Sequence, residues 1–233
     1  MTISLPDTLR LEKIDGCLSL YHVDRPQAFI NVNFSSPAMQ YRRQQAVRQQ
    51  AVVKAAGKLF LLDNEPPRLI DGTAGLGVDA FLLASAGWHV LMIEQSPVMH
   101  ALLADGLKRA QQESQTSGDA LFTATISRLS LSPCGDSRAA LASVDPVSVI
   151  YLDPMFPARK KTAQVKKERW LLQQLHDEDA EGVGLLAVAI QRAKKVVVKR
   201  PVSAEPLDSV QPSSMLRGKT SRFDIYVGNL TAI

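Results

Sequence analysis

From Arg68 onward the chain alternates short apolar, β-branched runs with helical stretches, and this alternation limits its fold more than any other feature. "RLID" reads as a strand entering the glycine turn "GTAGLG". "VDAFLLASAG" reads as a helix closing at Gly87, and "WHVLMIEQS" as a strand. "PVMHALLADGLKRAQQES" reads as a helix whose first position is Pro97, where a missing N–H is harmless. "LFTATIS" and the strongly apolar "VSVIYLDP" read as strands, and "EDAEGVGLLAVAIQRA" as a helix. "KKVVVKRP" and "SRFDIYVG" read as two more strands. Strands alternating with helices of this length predict a doubly wound, parallel α/β sheet. Near-continuous apolar runs such as Val147–Leu152 fit strands covered on both faces.

The region ahead of Arg68 follows a different pattern. Residues 1–35 read as short extended pieces, including "CLSLYHV" and "FINVNF". "PAMQYRRQQAVRQQAVVKAAG" reads as one helix, opening after Ser36 and closing at Gly57. The expected division is an appendage over 1–57 and a main domain over 58–233. A chain of 233 residues is long enough for one sizeable α/β domain with a small extension.

Several function classes are disfavoured. No apolar run reaches membrane-spanning length. Met1 to Arg10 lacks the basic-then-apolar layout of a secretory signal. Cys17 and Cys134 are the only cysteines, which predicts neither a disulfide framework nor a metal site. The expectation is a cytoplasmic protein with no membrane and no evident protein partner.

Net charge is only +4, but it is unevenly spread. Arg25, Arg42, Arg43, Arg48, Lys54 and Lys58 occur without an intervening acid. Arg159, Lys160, Lys161, Lys166, Lys167 and Arg169 surround the single Glu168, and Arg192, Lys194, Lys195, Lys199 and Arg200 form a third cluster. One such cluster is ordinary solvated surface; three together point to a polyanion.

The glycine turn, Asp71-Gly72-Thr73-Ala74-Gly75-Leu76-Gly77, follows a strand and opens a helix. Its glycines let the backbone turn tightly and approach a ligand. No Gly-Lys-Ser/Thr follows, and the spacing is G-x-x-G-x-G, not that of a dinucleotide fingerprint. Asp79, just inside the helix, would repel a phosphate at its N-terminus. A ligand lacking phosphate, such as S-adenosylmethionine, suits the turn better. Glu94 ends the second strand, where an acid can accept hydrogen bonds from ribose hydroxyls. Cys134-Gly135-Asp136-Ser137 could flank an adenine, with an ordinary Gly-Asp turn as the competing reading.

Asp153 falls at the carboxyl end of a central strand, and Pro154 forces the chain out of the sheet there. Pro154 and Pro157 stiffen Asp153-Pro154-Met155-Phe156-Pro157. That suits a site holding a planar amine in line with a sulfonium methyl group. Asp153 can accept from the amine and stabilise charge developing on it. Phe156 can stack on a base. A tight turn around a buried Phe is the competing reading.

These residues resemble a family. Asp-Pro motifs of this type after a fourth strand are typical of methyltransferases acting on exocyclic amines. "DGTAGLGVDAFLLAS", "YLDPMFP", "VKKE", "KKVVVKRP" and "RFDIY" together are similar to the RsmJ family of bacterial small-subunit ribosomal RNA guanine-N2 methyltransferases, over roughly Ala38 to Gly228. The resemblance implies a class I, Rossmann-like methyltransferase fold with an antiparallel last strand and a small N-terminal extension. It implies S-adenosylmethionine as cofactor, S-adenosylhomocysteine as product, and one guanosine near the 3′ end of 16S rRNA, free or in the small ribosomal subunit, as target. Carried onto this chain, cofactor contacts fall on Val78, Asp79, Glu94, Gln95, Asp136, Ser137 and Asp153, beside the turn residues Asp71, Gly72, Gly75 and Gly77. The chain departs from the family pattern at Val78, Gln95 and Asp136, so contacts there differ in kind. Asp153, Pro154 and Phe156 are the candidate catalytic group, and Arg159, Lys160, Lys161, Lys166 and Lys167 the candidate RNA contacts. Competing readings are a methyltransferase for another RNA or DNA base amine, and a non-enzymatic RNA-binding assembly factor. An NAD-dependent oxidoreductase is disfavoured by the glycine spacing and Asp79.

Overall fold

A computed structural model describes residues 3–44, 46–59, 66–154, 171, 175 and 184–229. Three strands, β1 (Leu9–Ile14), β2 (Cys17–His22) and β3 (Arg25–Ile30), form an antiparallel meander. Helices α1 (Pro37–Gln44) and α2 (Ala51–Ala56) follow. Next come β4 (Arg68–Asp71), α3 (Val78–Ser85), β5 (His89–Met92), α4 (Pro97–Ser114), α5 (Ala120–Ile126), β6 (Leu129–Leu131), α6 (Ser137–Ser143) and β7 (Val147–Leu152). The last described elements are α7 (Leu185–Arg192), β8 (Ala193–Pro201), β9 (Ser214–Arg217) and β10 (Ser221–Val227).

The main sheet has the order β6-β5-β4-β7-β8-β10-β9. Its first five strands are parallel, and β10 runs antiparallel to both β8 and β9. The doubly wound sheet with an antiparallel last strand is therefore present. β9 was not anticipated: it is four residues of exposed edge, "SMLR", without an apolar pattern. The chain builds outward from β4 to β6, then returns to place β7 on the other side of β4. That reversal opens a crevice at the carboxyl ends of β4 and β7, where ligands of such sheets bind.

The period of two along a strand sorts side chains to two cores. Leu69, Val149, Tyr151 and Val197 join the core under α3 and α4. Ile70, Ile150, Leu152, Val196 and Val198 join Leu141 and the α7 residues Leu185, Leu186 and Ala189 on the opposite face. β7 is buried at all six positions, Ser148 among its apolar residues included.

The N-terminal region contributes to the first core. Leu9, Leu20, Ile30, Val32, Phe34, Met39, Val52 and Val53 all belong to it. Phe34 stacks on Phe81 of α3, with ring centroids 5.5 Å apart. Gly106 of α4 makes room for Val32: a Cβ there would lie 2.4 Å from the Val32 Cγ1. The Leu18 N–H donates to Asp105 of α4 at 3.1 Å.

Two expected elements differ. The single helix over 37–57 is interrupted by a short 3-10 turn (Val47–Gln49) and by extended backbone at Gln50 (φ −59, ψ 136). Thirteen helical positions at about 100° each would leave Val52 roughly 220° around the axis from Met39. The break lets Met39 and the Val52–Val53 pair face the same core. "LFTATIS" forms helix α5, not a strand. The Asp119 carboxylate caps it by accepting from Phe122 N–H at 2.9 Å, and Thr125 bonds back to the Leu121 carbonyl at 2.8 Å. The third strand of this half is Leu129–Leu131. No described helix is long and apolar enough to cross a membrane.

Candidate active site

The glycine turn and its neighbours meet at the crevice between β4 and β7. Gly72 N–H donates to the Tyr151 carbonyl at 2.9 Å, and Ala74 N–H to the Ile93 carbonyl at 2.9 Å, so the turn is stitched to both adjoining strands. Gly77 caps α3 with φ +73, a left-handed conformation that favours glycine. A Cβ there would also meet Leu103 and Phe34, at 2.8 and 2.9 Å. Val78 and Asp79 follow in the first turn of α3, both half-buried.

Glu94, just past β5, is 8% exposed. One carboxylate oxygen accepts from Gly75 N–H at 2.8 Å and the other from Ser96 N–H at 2.8 Å. The acid thus organises the turn and the start of α4 together, and its orientation is set by the protein itself. Gln95 beside it is exposed; its carbonyl accepts from the Cys134 thiol at 3.5 Å. His100 Nε2 lies 2.8 Å from the Ser132 carbonyl. These contacts bring the loop after β6 alongside the end of β5.

In that loop Asp136 is exposed and caps α6, accepting from Ala139 N–H at 2.9 Å. Arg138 donates to its other oxygen at 3.1 Å, and this bond, with the Ala139 N–H, holds the carboxyl below the usual range. Ser137 is buried.

Asp153 leaves the end of β7, and its backbone N–H donates to Thr73 Oγ1 at 2.6 Å. Pro154 after it is buried. Phe156, Arg159, Lys160, Lys161, Lys166 and Lys167 lie outside the described residues.

The period of two also concentrates charge on one face. Asp71, Tyr151 and Val197 are register partners across β4, β7 and β8. Two positions further on, Asp153 and Lys199 lie on the same side, beneath the head of α3. Lys199 Nζ donates to Asp153 at 2.7 Å and to Asp79 at 2.9 Å. The Tyr151 phenol donates to Asp79 at 2.6 Å. Neither Tyr151 nor Lys199 was singled out as a site residue from sequence. A polar residue repeating the strand's inward period at its carboxyl end was the available signal.

Burial pushes the Asp71 carboxyl well above its ordinary value, and the Asp79 charge pushes it further. Burial also raises the Asp153 carboxyl, against the pull of Lys199. Burial opposes the Lys199 charge, yet Asp79 and Asp153 hold its ammonium above the usual lysine value. Burial, then Asp79, drives the Tyr151 phenol far up, so it stays a donor.

Among the described residues, the crevice carries the carboxyls of Asp79, Glu94 and Asp153 against the ammonium of Lys199. This balance fits a cationic sulfonium ligand and opposes a phosphate. The close-packed glycine turn fits a ligand lying against backbone.

Strand order and the placing of β10 match the class I methyltransferases, and the chain as a whole fits that class. The SAM_MT family model, of SAM-dependent methyltransferases, matches residues 4–228. A crystal structure of a SAM-dependent methyltransferase from Neisseria gonorrhoeae has a TM-score of 0.71 and 31% identity, covering 98% of this chain and 86% of that one. The protein is a SAM-dependent methyltransferase.

Curated relatives narrow the class. The Ribosomal RNA small subunit methyltransferase J of Shewanella denitrificans is 46% identical over 214 residues, 90% of this chain and 83% of that protein. Its Shewanella oneidensis counterpart is 45% identical over 224 residues, 94% and 86%. The chain belongs to the ribosomal RNA small subunit methyltransferase J family.

Proposed function

We propose that this enzyme methylates the exocyclic N2 of a guanosine near the 3′ end of 16S rRNA, in the cytoplasm. The observation that carries the reading is Asp153 at the exit of β7, on the same crevice as the Gly75–Glu94 cofactor turn. The names of the curated relatives support small-subunit rRNA as the substrate.

Bound S-adenosylmethionine supplies an electrophilic methyl group. The Asp71–Gly77 turn, Val78, Asp79, Glu94, Gln95, Asp136, Ser137 and Asp153 are the residues proposed to hold it. Glu94 accepts from ribose hydroxyls, and Gly72, Gly75 and Gly77 let the backbone lie close to the ligand. Asp153 accepts a hydrogen bond from the target amine and stabilises positive charge developing on its nitrogen. Pro154 restricts the turn so that this acceptor is held in line. The amine proton becomes acidic only as the new bond forms, so no strong base is required. Phe156 stacks on the base, which is splayed from its helix or met in a loop. Arg159, Lys160, Lys161, Lys166 and Lys167 hold flanking phosphates, adding affinity and salt dependence without sequence choice.

The test is to map N2-methylguanosine in rRNA from wild-type and deletion strains by mass spectrometry. Loss of one modified guanosine near the 3′ end of 16S rRNA is expected; an unchanged methylation pattern overturns the reading. Neutralising single residues of the basic run should weaken RNA binding and flatten its salt slope.

A further inference from the structure

Lys199 belongs by sequence to the basic cluster Arg192–Arg200. In the fold it points inward. Lys195, Val197 and Lys199 alternate along β8 toward α2 and α3. Lys195 donates to the Ala55 and Ala56 carbonyls at the end of α2, and Val197 enters the core. Lys199, last in that row, reaches the crevice and bridges two carboxylates from different elements, Asp79 of α3 and Asp153 after β7. The charged groups facing it are Asp79 and Asp153; Tyr151 and, from β4, Asp71 interact with those same two carboxylates.

The Asp153 carboxylate is held asymmetrically. Its Oδ2 accepts from Lys199, whereas Oδ1 accepts no hydrogen bond from any described residue. Its backbone is fixed separately by Thr73. An ammonium is a compact charge with three donors, suited to joining two carboxylates at once.

We propose that Lys199 is a positioning residue: it clamps Asp153 Oδ2 and Asp79 Oδ2 together, leaving Asp153 Oδ1 presented to the target amine as an ionised acceptor. This rests on the reading of Asp153 as amine acceptor. Lys199 touches neither reacting atom; it acts through Asp153. Burial alone would favour the protonated acid, which cannot stabilise a developing cation. The ammonium opposes that tendency, and its bond to Asp79 ties the acceptor to the head of α3.

The test begins without cofactor or RNA. The Asp153 carboxyl is titrated by carbon-13 NMR in the ligand-free wild type, Lys199→Met and Lys199→Arg proteins. The midpoint should rise by at least one pH unit in Lys199→Met and return most of the way in Lys199→Arg. Single-turnover methylation of small-subunit rRNA is then followed against pH. Its acid limb should move up in step with the titration in Lys199→Met. Affinity for S-adenosylhomocysteine, measured by calorimetry, should change less than threefold. An unmoved Asp153 titration overturns the proposal. So does a fall in S-adenosylhomocysteine affinity that matches the fall in turnover, because Lys199 would then be merely structural. If even the wild type fails to methylate the rRNA, the substrate reading fails, and the ligand-free titration still decides the role of Lys199.

Discussion

The Tyr151 phenol lies 2.6 Å from Asp79 Oδ2, joining the centre of the sheet to the first turn of α3 across 72 sequence positions. The phenol is buried, whereas the Asp79 side chain is partly exposed. Tyr151→Phe therefore removes a charge-assisted bond but leaves an acceptor that water can partly satisfy. Stability should fall by about 1–2 kcal/mol, read as a lower urea midpoint at unchanged slope. S-adenosylhomocysteine affinity should change little, because Lys199 still holds Asp79 at the head of α3. The phenol is driven far above its usual range, so ionisation of this tyrosine should not be seen in ultraviolet titration before the alkaline transition.

Asp153→Ala removes the proposed acceptor without touching Glu94 or the glycine turn. Methyl transfer should drop about a hundredfold or more, in line with the loss of one preorganised charge-stabilising group. Product binding should weaken but stay measurable by calorimetry. Full activity in this variant would refute the assignment of Asp153.

Glu94→Ala strands two backbone donors, Gly75 N–H and Ser96 N–H. It also deletes the proposed ribose acceptor. Cofactor affinity should fall about tenfold or more, taking a bond to a charged group at about 1.5–3 kcal/mol. Glu94→Gln keeps an acceptor on one oxygen and should lie between wild type and Glu94→Ala. Calorimetric titration with S-adenosylhomocysteine measures both.

Arg43 on α1 pairs with Asp119, the cap of α5. The Arg43 hydrogen bond, then the Phe122 N–H, pulls the Asp119 carboxyl down to about 2. Its folded value is thus lower than its unfolded one. The pair stabilises the fold above the ordinary carboxylate range, and that stability is lost as pH falls from about 4 to about 2. The effect should be small and salt-sensitive, because the carboxylate is 40% exposed. Asp119→Asn, which can still cap α5, should flatten this part of the acid-stability curve.

Gly106→Ala should lower the melting temperature, because the added methyl meets the Val32 side chain and carbonyl. Overpacking of this kind costs about 1–3 kcal/mol. A melting temperature equal to wild type would mean the N-terminal strands yield easily at α4.

Much of the main sheet was legible because its signals are local. Pro97 marks the start of α4, a near-continuous apolar run marks β7, and glycines mark the turn before α3. Asp71, Glu94 and Asp153 could be named because each ends a strand, and in an open parallel sheet the strand ends face the ligand crevice. Local signals misled where packing or capping overrode them. Thr123 and Thr125 suggest a strand, but the Asp119 cap and burial of Phe122 and Ile126 make a helix. The helix expected through 37–57 breaks so that both of its apolar patches reach one core.

The sequence by itself determined most of the strands and helices from β4 onward, the glycine turn and the acids at its rim, because those depend on spacing within a few residues. Only the tertiary structure decided that β4, β7 and β8 lie side by side. That adjacency brings Asp71, Tyr151, Asp153 and Lys199 to one face beneath Asp79. A lysine 46 positions from its aspartate reads as surface charge until strand order is known. In the folded sheet, the two-residue period turns it inward, between the carboxylates of Asp79 and Asp153.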